Sequence, residues 1–236
     1  MIQLVKSAFI LIGIGVLASA CSVVDSDNVK TGGFYTTFSI SQQAAQKPVA
    51  SAIFQVGGPT GTSINLTSND EIACNDVELA RTQAPIINLI TYNAALDQKA
   101  SYKFEFSRTG EPTYERSIAH PEAFQITNQA PIALKYDGSV AINWQNSATA
   151  GKVSITVDAG GGAAGCQGVT VIKSGLPDTG SYTFNGNELL LRDGTKPACT
   201  YTVTVGRTVS NDVGAPFQGG YLLARHTETI QLNVGP

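Results

Sequence analysis

From residue 34 onward, apolar side chains recur at every second position in short runs, the period at which neighbouring side chains take opposite faces of a strand. Phe34, Thr36, Phe38 and Ile40 open the series, and Val49, Ile53 and Val56 follow before the breaker Gly57-Gly58-Pro59. Ile72-Ala73-Cys74 and Val77-Glu78-Leu79 flank Asn75-Asp76, two residues that tolerate positive φ, which predicts a two-residue hairpin. One helix over 70–81, with an acidic first turn, is the alternative. Further strands are predicted over 86–92, over 102–108 with Tyr102, Phe104 and Phe106 facing inward, over 114–119, and over 124–127 beyond Pro121. Asn128-Gln129-Ala130-Pro131 reads as a boundary. Behind it a second series runs through Ile132-Leu134-Tyr136, Val140-Ile142-Trp144, Val153-Ile155-Val157, Val169-Val171, Tyr182-Phe184, 189–191, Tyr201-Val203-Val205 and 221–234. Asp137-Gly138, Asn185-Gly186 and Asp193-Gly194 punctuate it as turns.

The first twenty residues have a different pattern. Lys6 precedes an apolar run from Ala8 to Leu17, shorter than the roughly 20 residues a spanning helix needs, and so it reads as a signal-peptide core. Small residues, Ala18-Ser19-Ala20, then lead into Cys21. This arrangement resembles the lipobox of bacterial lipoproteins. The resemblance implies cleavage before Cys21, lipid on its thiol and usually a further acyl chain on its amino group. Two or more chains hold a protein stably to a bilayer. Ser22 stands where Asp would resemble the inner-membrane retention signal of enteric bacteria, so the implied destination is the outer membrane. An ordinary secretory cut after Ala20, leaving Cys21 bare, is the alternative. Residues 22–32 are polar and unpatterned and read as a flexible tether, able to reach about 35 Å at about 3.3 Å per residue.

The expected organisation is therefore a signal peptide over 1–20, an acylated Cys21 with its tether over 21–32, and β-domains over 33–128 and 129–236. Strands spaced by roughly ten residues with Gly and Asp turns are the mark of a sandwich, and two units of about 100 residues fit the immunoglobulin size class. The chain resembles immunoglobulin or fibronectin type III modules in strand count and length. The implied fold is all-β, with two tandem immunoglobulin-like β-sandwich domains. Trp144 precedes Cys166 and Cys199 instead of lying between them, unlike a true immunoglobulin domain, which leaves the topology open.

Charge narrows the function classes. Lys and Arg total 15 against 18 Asp and Glu, and loss of residues 1–20 removes one more base, Lys6. Such a balance offers no basic footprint for nucleic acid. Only 14% of residues are charged, in keeping with an all-β secreted protein. In an oxidising compartment the cysteines beyond Cys21 are disulfide candidates. Cys166 and Cys199 share the second domain and are predicted to pair, while Cys74 lies in the first and is expected to be buried and inert, with pairing between chains as the alternative.

No chemistry-bearing motif survives comparison with its plainer reading. Residues 160–165 fit G-x-G-x-x-G and follow a strand, but Cys-Gln-Gly-Val-Thr-Val comes next, where a nucleotide site needs a helix to begin. His120 and His226 are the only histidines. With no third ligand at a suitable spacing they read as surface or strand-end residues, and no metal is expected. No G-x-S-x-G elbow is present. Asp70, Glu71, Asp76 and Glu78 crowd one hairpin and offer oxygen ligands for Ca²⁺, though a solvated acidic face is the commoner outcome. Tyr102, Phe104, Phe106, Tyr182 and Phe184 would suit a sugar-stacking platform, but period-two aromatics more often form a core. Tyr114 and Tyr221, beside breakers, are the candidates for exposure. The reading is an outer-membrane lipoprotein that binds or scaffolds at the envelope, without catalytic residues or cofactor. Its partners are the membrane through Cys21 and an envelope protein or polysaccharide. A carbohydrate- or peptidoglycan-binding module, or an envelope hydrolase of unrecognised type, is the alternative.

Overall fold

A computed structural model describes residues 23–236, apart from 68, 85–87, 148–150, 160–165, 167–169 and 190–195. The signal segment, Cys21, the glycine-rich run 160–165, and Leu190 and Leu191 lie outside the described residues. Among the described residues every regular element is a strand or a short 3-10 turn, so the fold is all-β. In chain order the first ten strands are β1 (Val24–Asp25), β2 (Phe34–Gln43), β3 (Val49–Val56), β4 (Thr62–Asn65), β5 (Asp70–Cys74), β6 (Val77–Glu78), β7 (Ala80–Ala84), β8 (Leu89–Ala95), β9 (Ser101–Arg108) and β10 (Tyr114–Ala119). After them come β11 (Ile132–Lys135), β12 (Ser139–Asn143), β13 (Lys152–Ala159), β14 (Thr170–Pro177), β15 (Ser181–Asn185), β16 (Cys199–Asp212) and β17 (Gly219–Gly235).

Alternation in sequence becomes alternation in burial. In β2, Phe34, Thr36, Phe38 and Ile40 are buried and the residues between them are partly exposed. In β9, Tyr102, Phe104 and Phe106 turn inward. Asn75 and Asp76 sit at φ 49° and 65° and fold β6 back on β5, with Cys74 opposite Val77. This is the predicted hairpin, and it excludes the helix over 70–81. One large sheet follows the path β1-β4-β3-β2-β17-β16-β13-β14, with β8 also on β3, β7 on β8 and β11 on β17. A four-stranded sheet, β10-β9-β5-β6, and a two-stranded pair, β12-β15, complete the described set.

Each smaller sheet covers a different part of the large one. Where β9 and β5 lie over β2 and β3, an aromatic core forms: Phe38 stacks on Phe104 at 5.0 Å and Phe54 lies 5.2 Å from Phe106. Where β12 and β15 lie over β13, β16 and β17, the core contains Ile142, Trp144, Phe184, Val153, Ile155, Val203 and Leu232. The Cys166–Cys199 disulfide, with Cα atoms 5.8 Å apart, borders this second core. Cys74 is buried in the first.

The long hairpin β16–β17 joins the two cores. β16 pairs with β17 from Cys199↔Val234 to Asp212↔Tyr221. On its other side β17 runs parallel to β2 from Gly219↔Tyr35 to Thr227↔Gln43, then parallel to β11 from Ile132↔Leu232 to Lys135↔Gly235. At the start of β17 a Cβ on Gly220 would fall 1.8 Å from the Thr36 carbonyl oxygen, so only glycine permits that close approach. Val213, Phe217, Leu222 and Ala224 belong to the first core although they follow residue 129. The cores therefore do not follow the division at 128/129 throughout.

Several expectations need correction. The segment read as a tether is docked from Val24 onward: β1 pairs in parallel with β4, and Ser26 and Thr31 are buried. Arg108 explains the docking, since it donates to the carbonyls of Val29 and Ser26 and to the Thr31 hydroxyl. Residues 124–127 form no strand. They make a single bridge between Ile126 and Trp144 and serve as the crossing between cores. Leu189 ends a 3-10 turn, Gly186–Leu189. Tyr114 is buried, its hydroxyl bonded to the Val213 carbonyl. β7, exposed throughout and without a large apolar side chain, carries no alternation from which to predict it.

Candidate functional site

The inward face of the β16–β17 hairpin changes character once along its length. Tyr201, Val203 and Val205 with Ile230, Leu232 and Val234 enter the second core, while Leu222 and Ala224 enter the first and Val209 packs against it. Between them stand Arg207 and His226, direct partners in the ladder, and Glu228 on the same face of β17. This polar interval is where the crossing segment 120–126 passes over the hairpin.

Arg207 is 2% exposed and Asp178 5% at the side chain. Burying a charge is costly unless it is paired and hydrogen-bonded, and here both conditions hold. The guanidinium donates from Nε to Asp178 Oδ2 at 2.7 Å, from Nη1 to the Glu122 carbonyl at 2.8 Å and from Nη2 to the Gln145 carbonyl at 2.7 Å. It lies 4.7 Å from the Phe124 ring centre. Trp144 Nε1 donates to the second Asp178 oxygen at 2.8 Å. One guanidinium thus fastens the crossing segment, the stretch just after β12 and the loop before β15 to the hairpin.

His226 is 1% exposed. Nδ1 is 3.3 Å from Gln42 Oε1 and Nε2 is 3.2 Å from Glu228 Oε1. Gln42 Nε2 donates to the Gln46 carbonyl, which fixes the amide so that its oxygen faces the imidazole. The His120 ring stands 6.1 Å from the His226 ring, perpendicular to it, and His120 Nε2 is buried with no hydrogen-bond partner among the described residues. Burial first and the neighbouring His226 second push His120 below the usual imidazole range, against a hydrogen bond with the Pro121 backbone. The two histidines are therefore not the separate surface or strand-end residues expected. They meet across 106 positions of sequence at the junction of the cores.

A cleft of about 390 Å³ opens over this junction, with Gln42, His226 and Glu228 among its lining and Gln98, Gln125 and Gln145 around it. A second cleft, of about 410 Å³, lies between β5–β6 and β7–β8 and takes in Asp70, Glu71, Glu78, Arg81 and Tyr92. The acidic hairpin makes no cation cage. The Asp70 carboxylate is wholly buried 3.4 Å from Arg108 Nε, and among the described residues no three His, Cys, Asp or Glu are grouped to hold a metal ion. The supposed stacking platform is core, with Tyr102, Phe104, Phe106 and Phe184 buried, whereas Tyr221 is 42% exposed. Burial, reinforced by Glu105 and opposed by Lys99, pushes the Cys74 thiol up to about 12, which keeps it protonated and unreactive.

No protein-family model matches the chain, and no curated protein matches it. Among solved structures a likeness is found to one described as the crystal structure of murine CEACAM1b, at 10% sequence identity and a TM-score of 0.21, covering 85% of this chain and all of that one. The architecture rests on the strand pairing described above.

Proposed function

We propose that this protein is a lipid-anchored binding or scaffolding module of the bacterial envelope, held at the outer membrane through Cys21, with immunoglobulin-like sandwich units and no catalytic role. The observation that carries this reading is the order in residues 1–21 of one basic residue, a short apolar run, small residues and a cysteine. The Cys166–Cys199 disulfide agrees with an oxidising compartment. The junction supports a binding role over catalysis. His226 has both ring nitrogens occupied, Arg207 spends its guanidinium on structure, and among the described residues the cleft lining offers no hydroxyl or thiol nucleophile.

Cells fed labelled palmitate test the anchor: label is expected in the wild type and absent from Cys21→Ala, and a labelled variant would remove lipid at this position from the reading. In-cell cross-linking tests the binding role, with an envelope protein or polysaccharide expected in the recovered adduct.

A further inference from the structure

The junction cleft has a built floor and an uncommitted wall. In the floor, Gln42 and His226 are buried and locked by hydrogen bonds, and His226 holds Glu228 by one oxygen. Its other oxygen, Oε2, has no hydrogen-bond partner among the described residues, and its side chain is 20% exposed. On the wall, the exposed carboxamides of Gln98, Gln125 and Gln145 each offer a donor and an acceptor. The methyls of Ala44, Ala45 and Ala123 supply small apolar surface between them.

This lining selects a ligand class by charge first. Among the described lining residues an anion would find no free cation, because Arg207 beneath it is buried and its guanidinium is spent on Asp178 and two carbonyls. A cation would find one carboxylate already facing an imidazole. An apolar ligand would strip water from amides and a carboxylate without replacing their hydrogen bonds, which is unfavourable. A neutral ligand rich in hydroxyls meets every requirement: paired hydroxyls donate to Glu228, others exchange hydrogen bonds with the carboxamides, and the C–H faces of a sugar ring rest on the alanines. All-β proteins capture peptides by main-chain pairing along an open strand edge or by docking Pro-rich segments in aromatic-lined grooves, and the described lining here has a single aromatic, Phe124. Here β2, which supplies Gln42, is already paired on both sides, to β3 and β17.

We infer that the cleft over His226 and Glu228 binds one or two rings of a neutral, hydroxyl-rich glycan, and that Glu228 is the principal acceptor. This deepens the binding role proposed above and rests on it. The size agrees, since about 390 Å³ lies in the range of small-molecule sites.

The mature, disulfide-bonded protein is titrated with maltose, with the N-acetylglucosamine disaccharide and with trialanine, while NMR follows the side-chain amides of Gln98, Gln125 and Gln145 and the His226 ring. A saturable shift at these groups with either disaccharide is expected. Glu228→Gln should weaken it at least tenfold, because a charge-assisted acceptor becomes a neutral one. Gln125→Ala, an exposed change that leaves the floor intact, should weaken it several-fold. Shifts produced by trialanine alone, or a disaccharide response unchanged in both variants, would overturn the assignment, as would no saturable shift with any probe. Failure here alongside a partner recovered by in-cell cross-linking would sink the glycan cleft and spare the binding role. Failure of both would sink the two together.

Discussion

Arg207 shows how a single side chain is tolerated between two apolar cores. Its charge is met by Asp178 and its remaining donors by two carbonyls, so removing it leaves a carboxylate and two carbonyl acceptors short. Arg207→Met is expected to lose about 3–5 kcal/mol, the cost of breaking a buried pair from one side, read as a lower urea midpoint. Arg207→Lys should fall between, since a point charge cannot reach three acceptors in the plane of a guanidinium. His120 adds a pH dependence of definite sign. Its native pKa is depressed below 6.5, so the folded state binds fewer protons than the unfolded chain in the window beneath that value. The stability it contributes is whole above the ordinary pKa and is lost as pH falls through the native one. The drop in melting temperature between about pH 7.5 and 5, around the ordinary imidazole pKa, should be smaller in His120→Gln than in the wild type. An equal drop would assign the effect to other groups.

Among the elements, those with clean alternation were readable in advance. β2, β9, β13 and β16 showed their buried faces as period-two runs, and Asn75-Asp76 marked its hairpin because positive φ is cheap there. β7 was not readable, since its five residues are all exposed and its place comes from pairing with β8. The junction was partly legible. Arg207 and His226 occupy inward parity in strands otherwise apolar on that face, and a charged or imidazole side chain at such a position is a signal that two cores meet there. Gln42, Asp178 and His120 carried no such mark, because what joins them to the junction is the crossing of chains distant in sequence. The docked segment 24–33 escaped for the same reason, its polar residues being held by Arg108 from β9. Arg108→Ala should release it, seen as faster amide exchange at Val29 and Gly33, whose N–H groups close the two 3-10 turns, with β13 and β16 unchanged. At the opposite end of the molecule, the Cys166–Cys199 link spans 33 residues. Replacing both cysteines by alanine should cost roughly 3–4 kcal/mol on the chain-entropy account, measurable as a midpoint shift that reductant reproduces in the wild type.

On the scale of the whole molecule, β16 and β17 supply side chains to both cores, so neither core can lose its packing without disturbing the ladder that the other uses. A protease cut between Asn128 and Pro131 should therefore leave two fragments that elute together from gel filtration and part only in denaturant, while clean separation in buffer would show that the shared hairpin contributes little to their union. Among the described residues the first strand begins at Val24, and three residues of chain span at most about 10 Å. With fatty acids on Cys21, the protein would stand as a stud in the bilayer and not as a flag on a line. One flank would be pressed permanently against headgroups, rotation would be confined to the membrane normal, and any ligand fixed deep in the cell wall would lie beyond reach unless it approached the lipid surface itself.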